Sequence, residues 1–108
     1  MTLDQAALEE LRALGGDEFL AELVDTFLAD APALLSGLRS TDVDEVRRSA
    51  HTLKSNGLTL GAAGFAATCA ELEQRARAGD LTGADELAGR IEQQYAELVD
   101  ALGPYRGT

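Results

Sequence analysis

The sequence predicts an all-α protein, an antiparallel up-down four-helix bundle with a short additional N-terminal helix. Alanine, leucine and glutamate are abundant, whereas β-branched residues are scarce and aromatic residues make up only 5% of the chain. Apolar residues recur at helical spacing along almost its whole length. The turn signals between these stretches are short, and short connections between amphipathic helices favour antiparallel neighbours.

The first predicted helix covers about residues 3–14. Thr2 is placed to act as its N-cap, and Gln5 three residues later completes a capping box. Gly15 and Gly16 form its stop signal. This is the short additional helix, which we expect to pack alongside the bundle.

The second predicted helix starts after Asp17 and runs to about Ser40. Pro32 lacks a backbone donor, so we expect it to bend or divide this helix. Its core-facing side is a broad apolar stripe that continues beyond the proline and comprises Phe19, Leu20, Leu23, Val24, Phe27, Leu28, Leu34, Leu35 and Leu38.

The third predicted helix begins at a Thr41 or Asp42 cap and reaches about Gly57, followed by a link at 58–61. Its core stripe has helical spacing and comprises Val43, Val46, Ala50, Leu53 and Gly57.

Two further helices complete the predicted bundle. The fourth covers about residues 62–78 and ends at Gly79. The fifth opens at Thr82, has Asp85 in the capping position, and stops at Gly103-Pro104. Their apolar residues fall in phase with a helix: Phe65, Cys69, Leu72 and Ala76 in the fourth, and Leu87, Ile91, Tyr95, Leu98 and Leu102 in the fifth.

Length and composition bound the range of functions. We expect residues 1–108 to form one domain. A net charge of −10 and a pI near 4.3 argue against nucleic acid or an anionic membrane as the main partner. The sequence has neither a membrane-spanning apolar run nor a signal peptide at its start. Its one cysteine, Cys69, excludes an intramolecular disulfide and fits a reducing, cytoplasmic location.

The only histidine, His51, lies in the one long stretch without acidic residues, 46–70. Arg47, Arg48 and Lys54 lie in the same stretch and make it locally cationic. By helical phase His51 falls on the flank of the third helix, outside the core stripe. A phosphoryl group on its ring would add about two negative charges, which these cations could pair with. The pattern fits a phosphohistidine site, although an ordinary surface histidine fits it too.

Other chemistry at His51 has less support from the sequence. A metal site would need several carboxylates as ligands, and none lies near His51 in sequence. A catalytic triad has no local acid to orient the imidazole, and no nucleophile elbow is present. We therefore expect no metal site in this chain.

The segment Ala50-His51-Thr52-Leu53-Lys54-Ser55-Asn56-Gly57-Leu58-Thr59-Leu60-Gly61-Ala62 resembles the signature of histidine-containing phosphotransfer (Hpt) domains, typically Ala-His-x-Leu-Lys-Gly-Ser-Ser-x-x-Leu-Gly-Ala. The resemblance extends over nearly the whole chain. It includes Phe19-Leu20, the segment 27–32, Cys69-x-x-Leu72-Glu73 and the helix end at 76–79.

The resemblance implies that His51 is the phosphoacceptor and that Lys54 steadies the phosphoryl oxygens. It implies a carrier without kinase or ATP-binding machinery, which relays phosphoryl groups between receiver domains of hybrid histidine kinases and response regulators. The chain would bind no cofactor, because the Mg²⁺ needed for transfer belongs to the receiver's acidic pocket. We expect it to act as a monomer, without nucleic acid or membrane as partner.

The expected docking residues for a receiver share the face of His51 or lie beside it. They are Arg47, Arg48, Ser55, Gly57 and Leu58. Ser55 stands where the family usually has glycine, a difference that bears on partner choice.

Two other classes of protein are alternatives to a phosphoryl carrier. An acyl carrier would need an Asp-Ser-Leu attachment site, which is absent. An adaptor that docks on receivers or a kinase without being phosphorylated would keep the bundle but have no need of His51. Replacing His51 therefore distinguishes the carrier from the adaptor.

Overall fold

The computed structural model describes residues 2–107, which form four α-helices and no strand. α1 spans Gln5–Gly37, α2 Val43–Thr59, α3 Ala63–Arg77 and α4 Ala84–Leu102, and a 3-10 turn follows at Gly103–Tyr105. α1 contacts α2 and α4, and α3 contacts the same two helices. The predicted all-α class is confirmed.

The two helices predicted before Ser40 form one helical segment with a kink. Gly16 leaves helical geometry, with φ 83° and ψ −176°. Glycine reaches this positive φ without the clash that a Cβ would cause. The predicted stop signal therefore lies at the kink, while the residues on both sides of it belong to α1.

Pro32 lies inside α1 and does not divide it. Its side chain is exposed, whereas Ala31 is buried and Leu34 and Leu35 pack against the core. Packing on both sides of the proline thus outweighs the loss of one backbone hydrogen bond. α1 ends before Ser40 because the chain turns there, and the Ser40 N–H donates to the Gly37 carbonyl at 3.2 Å.

The start of α1 is decided by a contact with a distant segment. Asp4, rather than Thr2, is the N-cap, and its side chain accepts from the Ala6 N–H at 3.0 Å. Leu3 is buried, and the Asp4 N–H donates to the Gly61 carbonyl at 2.8 Å. These two contacts hold residues 3–4 outside the helix, so it begins later than predicted.

The ends of α2 and α3 differ little from the prediction. Asp42 is the cap of α2, and its carboxylate accepts from the Asp44 N–H at 3.0 Å. α2 continues through Leu58 to Thr59, so the predicted link at 58–61 is shortened to 60–62. A short link keeps α2 and α3 in close contact. The locally cationic stretch, 46–70, lies on these two helices and the link between them.

α4 begins two residues later than predicted, and Asp85 lies in its first turn. The Asp80 carboxylate accepts from the Thr82 N–H at 2.9 Å and holds residues 80–82 in a turn. Gly83, with φ 75°, then leads into the helix. Asp80 therefore caps a turn where the sequence predicts the start of the helix.

Buried side chains from all four helices form one core. Phe65 of α3 is fully buried, and its ring meets Phe27 of α1 edge-on at 6.2 Å between centroids. Leu53 of α2 is fully buried as well. Because residues two apart on a helix point to nearly opposite sides, the burial of Leu53 turns His51 towards solvent.

Gly61→Ala is expected to lower the free energy of unfolding by about 2–4 kcal/mol. Gly61 has φ 78°, and an added methyl group would come within 2.8 Å of the Asp4 carbonyl oxygen. This clash is with backbone, so no side-chain rotation relieves it. Urea unfolding followed by circular dichroism measures the loss. Gly64→Ala is the matched control, since its methyl group would meet no atom within 4 Å; equal stability of the two variants would contradict this prediction.

Candidate functional site

His51 lies on the exposed side of α2. Its side chain is 53% exposed, while Ala50 before it and Leu53 after it are fully buried. The two buried residues fix the rotation of α2 about its axis. One edge of the imidazole is therefore available to a partner in solution.

A buried carboxylate from α3 holds the other edge of the ring. Glu73 Oε2 lies 2.9 Å from His51 Nδ1, and the Glu73 side chain is only 1% exposed. An ionised carboxylate has only acceptor sites, so Nδ1 is the nitrogen that carries the proton and donates it to this hydrogen bond. The neutral ring then has its lone pair on Nε2, the nitrogen on the exposed edge.

Two cations complete the cluster around Glu73. The Lys54 Nζ lies 2.6 Å from Glu73 Oε1, and the Arg77 guanidinium donates to Oε2 at 2.8 Å. Lys54 is 27% exposed and Arg77 52% exposed, so both reach from the carboxylate towards solvent. A buried carboxylate is stable only when it is paired and hydrogen-bonded, and these contacts meet that requirement.

The arrangement is an exposed, oriented imidazole beside two basic side chains. The Hpt domain model matches residues 22–101 of the sequence. The chain belongs to the Hpt family. Hpt domains are phosphotransfer carriers of two-component signalling rather than kinases, and they interact with receiver domains.

A solved structure supports the same assignment over nearly the full length. This Hpt domain is 31% identical to histidine-containing phosphotransfer protein B (HptB) from Pseudomonas aeruginosa PAO1. The alignment covers 94% of this chain and 91% of that chain, with a TM-score of 0.86. A comparison with curated proteins gave no match.

The acidic partner of His51 is distant from it in sequence. Glu73 follows His51 by 22 residues and lies outside the acid-free stretch, but α3 folds back and carries it to the ring. The one signal in the sequence that includes it is the resemblance to the Hpt signature, which extends to Glu73. In the structure residues 51 and 73 each lie about ten residues from the link at 60–62. Two helices joined by so short a link bring such residues to the same level.

Four of the five expected docking residues lie on or beside the exposed face of His51. Leu58 is 59% exposed, one of the exposed large apolar side chains of the domain. Arg48 and Ser55 are exposed and Arg47 is partly exposed, and within residues 2–107 neither arginine forms an ion pair. These side chains are accessible to a partner, and pairing with either arginine would break no ion pair within residues 2–107.

Gly57, the fifth expected docking residue, is buried and faces α3 instead of solvent. A methyl group in its place would come within 2.9 Å of a Phe65 ring carbon. The lack of a side chain at Gly57 therefore serves the close packing of α2 on α3. The structure removes Gly57 from the exposed face.

The other reactive groups of the Hpt domain do not form a second site. Burial raises the pKa of the Cys69 thiol to about 12, so it stays protonated and weakly nucleophilic. Among residues 2–107 no group of three His, Cys, Asp or Glu side chains is placed to hold a metal ion. Nor does any helix in this part of the chain have the length and apolar character to span a bilayer.

Glu73 is expected to make stability depend on pH below about 5. Burial alone would raise the pKa of Glu73, but hydrogen bonds from Lys54 and His51 and the charges of Lys54 and Arg77 outweigh it and hold the pKa below its ordinary value. A carboxylate with a lowered folded-state pKa stabilises the fold above its unfolded-state pKa. That stabilisation is lost as the pH falls through the folded-state pKa.

The test compares the free energies of unfolding of the wild type and Glu73→Gln from about pH 5 to about pH 3. The wild type is expected to lose more stability over this window, since only the wild type has a carboxylate at position 73 that becomes protonated. If the wild type became more stable relative to Glu73→Gln as the pH falls, the lowered pKa of Glu73 would be contradicted.

Proposed function

We propose that this Hpt domain is a phosphorelay intermediate that accepts a phosphoryl group on His51 Nε2. The donor is a receiver-domain aspartyl phosphate or a histidine kinase, and the acceptor is the receiver aspartate of a response regulator. The observation that carries the proposal is the hydrogen bond between Glu73 and Nδ1 on a ring that is half exposed. It leaves Nε2 both nucleophilic and accessible.

The transfer step needs no proton movement in the Hpt domain. The Nε2 lone pair forms the N–P bond while the O–P bond of the acyl phosphate breaks and the aspartate leaves as a carboxylate. Nδ1 keeps its proton, so the phosphorylated ring becomes a cation beside the negative Glu73. In the onward step a carboxylate oxygen of the acceptor aspartate forms the new O–P bond, the N–P bond breaks and the ring leaves as neutral imidazole. Glu73 therefore supports phosphoryl transfer in both directions.

Lys54 and the exposed face of α2 have separate roles in this proposal. The Lys54 ammonium lies one turn after His51 and pairs with the phosphoryl oxygens. Hydrogen bonds between charged groups are stronger than those between neutral groups. Arg47, Arg48, Ser55 and Leu58 contact the receiver. The two arginines complement a receiver's acidic pocket, and the Leu58 side chain offers an apolar contact beside His51.

The partner supplies what this chain lacks for phosphoryl transfer. Phosphoryl transfer passes through a loose transition state, and its main catalytic requirement is electrostatic positioning. We propose that the receiver meets this requirement by binding Mg²⁺ and that this chain binds no cofactor. We also propose that residues 1–108 form one Hpt domain that acts as a cytoplasmic monomer. It is an antiparallel up-down bundle whose short N-terminal helix is the part of α1 before the kink at Gly16. The single core and the short link between α2 and α3 support this arrangement.

Phosphotransfer from a radiolabelled, phosphorylated receiver domain in the presence of Mg²⁺ tests the proposal. The wild type is expected to acquire acid-labile, base-stable label, and His51→Gln none, because His51 is the only histidine. Label that persists in His51→Gln would contradict His51 as the acceptor. The absence of label on the wild type across several receivers and a hybrid kinase would favour the docking adaptor.

A further inference from the structure

The cluster at His51 contains more positive charge than its buried carboxylate needs. Glu73 carries one negative charge, and both the Lys54 ammonium at 2.6 Å and the Arg77 guanidinium at 2.8 Å are paired with it. The His51 Nδ1–H adds a third hydrogen bond at 2.9 Å. One cation would neutralise Glu73, so the second is free to serve another group.

The two cations bind different oxygens of Glu73. Lys54 contacts Oε1, while Arg77 and the imidazole share Oε2. Lys54 also lies one helical turn after His51 on α2, whereas Arg77 lies one turn after Glu73 on α3. Lys54 is thus the cation that can leave Glu73 for a group on the ring without breaking the Arg77 contact.

If Lys54 moved away and no other group paired with Glu73, the buried carboxylate would be left uncompensated at a large cost in free energy. Removing one partner of a buried ion pair is strongly unfavourable because the remaining charge is uncompensated. Arg77 adds to the pairing that the cationic phosphorylated ring provides, since its contact with Oε2 persists when Oε1 loses the ammonium. The cost of moving Lys54 is lower with Arg77 in place than without it.

We propose that Arg77 is a positioning residue that keeps Glu73 paired, so that Lys54 can move from Glu73 to the phosphoryl group when His51 is phosphorylated. This inference rests on the proposed phosphorylation of His51. It assigns Arg77 no contact with the phosphoryl group or with the receiver. Its effect on transfer depends on the negative charge of Glu73.

That dependence is tested by a double-mutant cycle with Arg77→Gln, Glu73→Gln and the double variant. Transfer rates from a phosphorylated receiver are measured for all four proteins. Arg77→Gln is expected to slow transfer about tenfold when residue 73 is glutamate and less than about twofold when it is glutamine, because a neutral amide does not retain Lys54. Equal slowing in both backgrounds would overturn the proposal, since it would mean that Arg77 acts directly on the phosphoryl group or the receiver.

The Lys54 ammonium gives a second readout without a receiver. Lys54 is the only lysine of the chain, so its side-chain ¹⁵N signal is assigned without ambiguity. Phosphorylation of His51 with phosphoramidate is expected to shift this signal in the wild type and much less in Arg77→Gln. An equal shift in both proteins would contradict the inference while leaving the proposed function intact. A wild type that no phosphodonor labels would contradict the proposed function itself.

Arg75→Gln is the matched control in both experiments. Arg75 lies in the same last turn of α3, but it contacts the Thr82 carbonyl at 2.7 Å and Glu71 at 3.9 Å rather than Glu73. We expect the transfer rate and the Lys54 signal of this variant to match those of the wild type. A loss as large as that of Arg77→Gln would mean that general loss of positive charge on α3 explains the effect.

Discussion

Glu73→Ala is expected to slow phosphoryl transfer to His51 by about 10–100-fold, the range typical for removal of a group that orients a metal-binding histidine. The variant loses the acceptor that holds the proton on Nδ1, so the ring can rotate and adopt the tautomer with the proton on Nε2. Only the fraction with a free Nε2 lone pair and the correct orientation can attack. The phosphorylated ring also loses the negative charge that stabilises it as a cation.

Rapid-quench, single-turnover transfer from a phosphorylated receiver measures this rate at a saturating concentration of the receiver. Glu71→Ala is the control, because Glu71 is an exposed carboxylate on the same helix that pairs weakly with Arg75 and Arg90. It removes the same charge without touching His51. Similar rates for the wild type and Glu73→Ala would show that the ring needs no acidic partner.

Phe65→Ala is expected to lower the free energy of unfolding by about 3–5 kcal/mol, a large part of the total stability of a small domain. The Phe65 ring is fully buried between α1 and α2, meets Phe27 edge-on, and fills the space that Gly57 leaves open. Truncation removes this apolar contact area and leaves a cavity beneath α2, the helix that carries His51. The surrounding helices can close that cavity only in part.

Urea unfolding followed by far-ultraviolet circular dichroism measures the loss. Leu14→Ala is the control, because Leu14 is 78% exposed and a change there is expected to alter the free energy by no more than about 0.5 kcal/mol. A loss below about 1 kcal/mol for Phe65→Ala would mean that the core beneath α2 tolerates a cavity, against the packing described here.

The helices and the exposure of His51 could be predicted because both depend on local spacing. The burial of Ala50 and Leu53 follows from their helical phase, and it places His51 on the flank of α2. The burial of Gly57 follows from the same phase, since it belongs to the same stripe. A glycine at this position could allow close approach of either a partner or a neighbouring helix. Only the position of Phe65 shows that the neighbouring helix is the one that approaches.

Glu73 could not be predicted by the same reasoning, because its role depends on contacts between helices. Charged residues are seldom fully buried, so composition argues against a glutamate in the core. Its burial becomes favourable only when Lys54, His51 and Arg77 surround it, and they come from two helices. The cap of α1 has the same character, because the bond from Asp4 to Gly61 joins segments far apart in sequence.

Identifying which ring nitrogen of His51 carries the phosphoryl group is the most direct test of the proposed role of Glu73. A long-range ¹H–¹⁵N spectrum of the phosphorylated, ¹⁵N-labelled protein resolves the two ring nitrogens, and the single histidine removes any ambiguity. The hydrogen bond from Nδ1 to Glu73 predicts a phosphoryl group on Nε2 and a proton retained on Nδ1. A phosphoryl group on Nδ1 would contradict it, because that nitrogen would have to leave Glu73 to react.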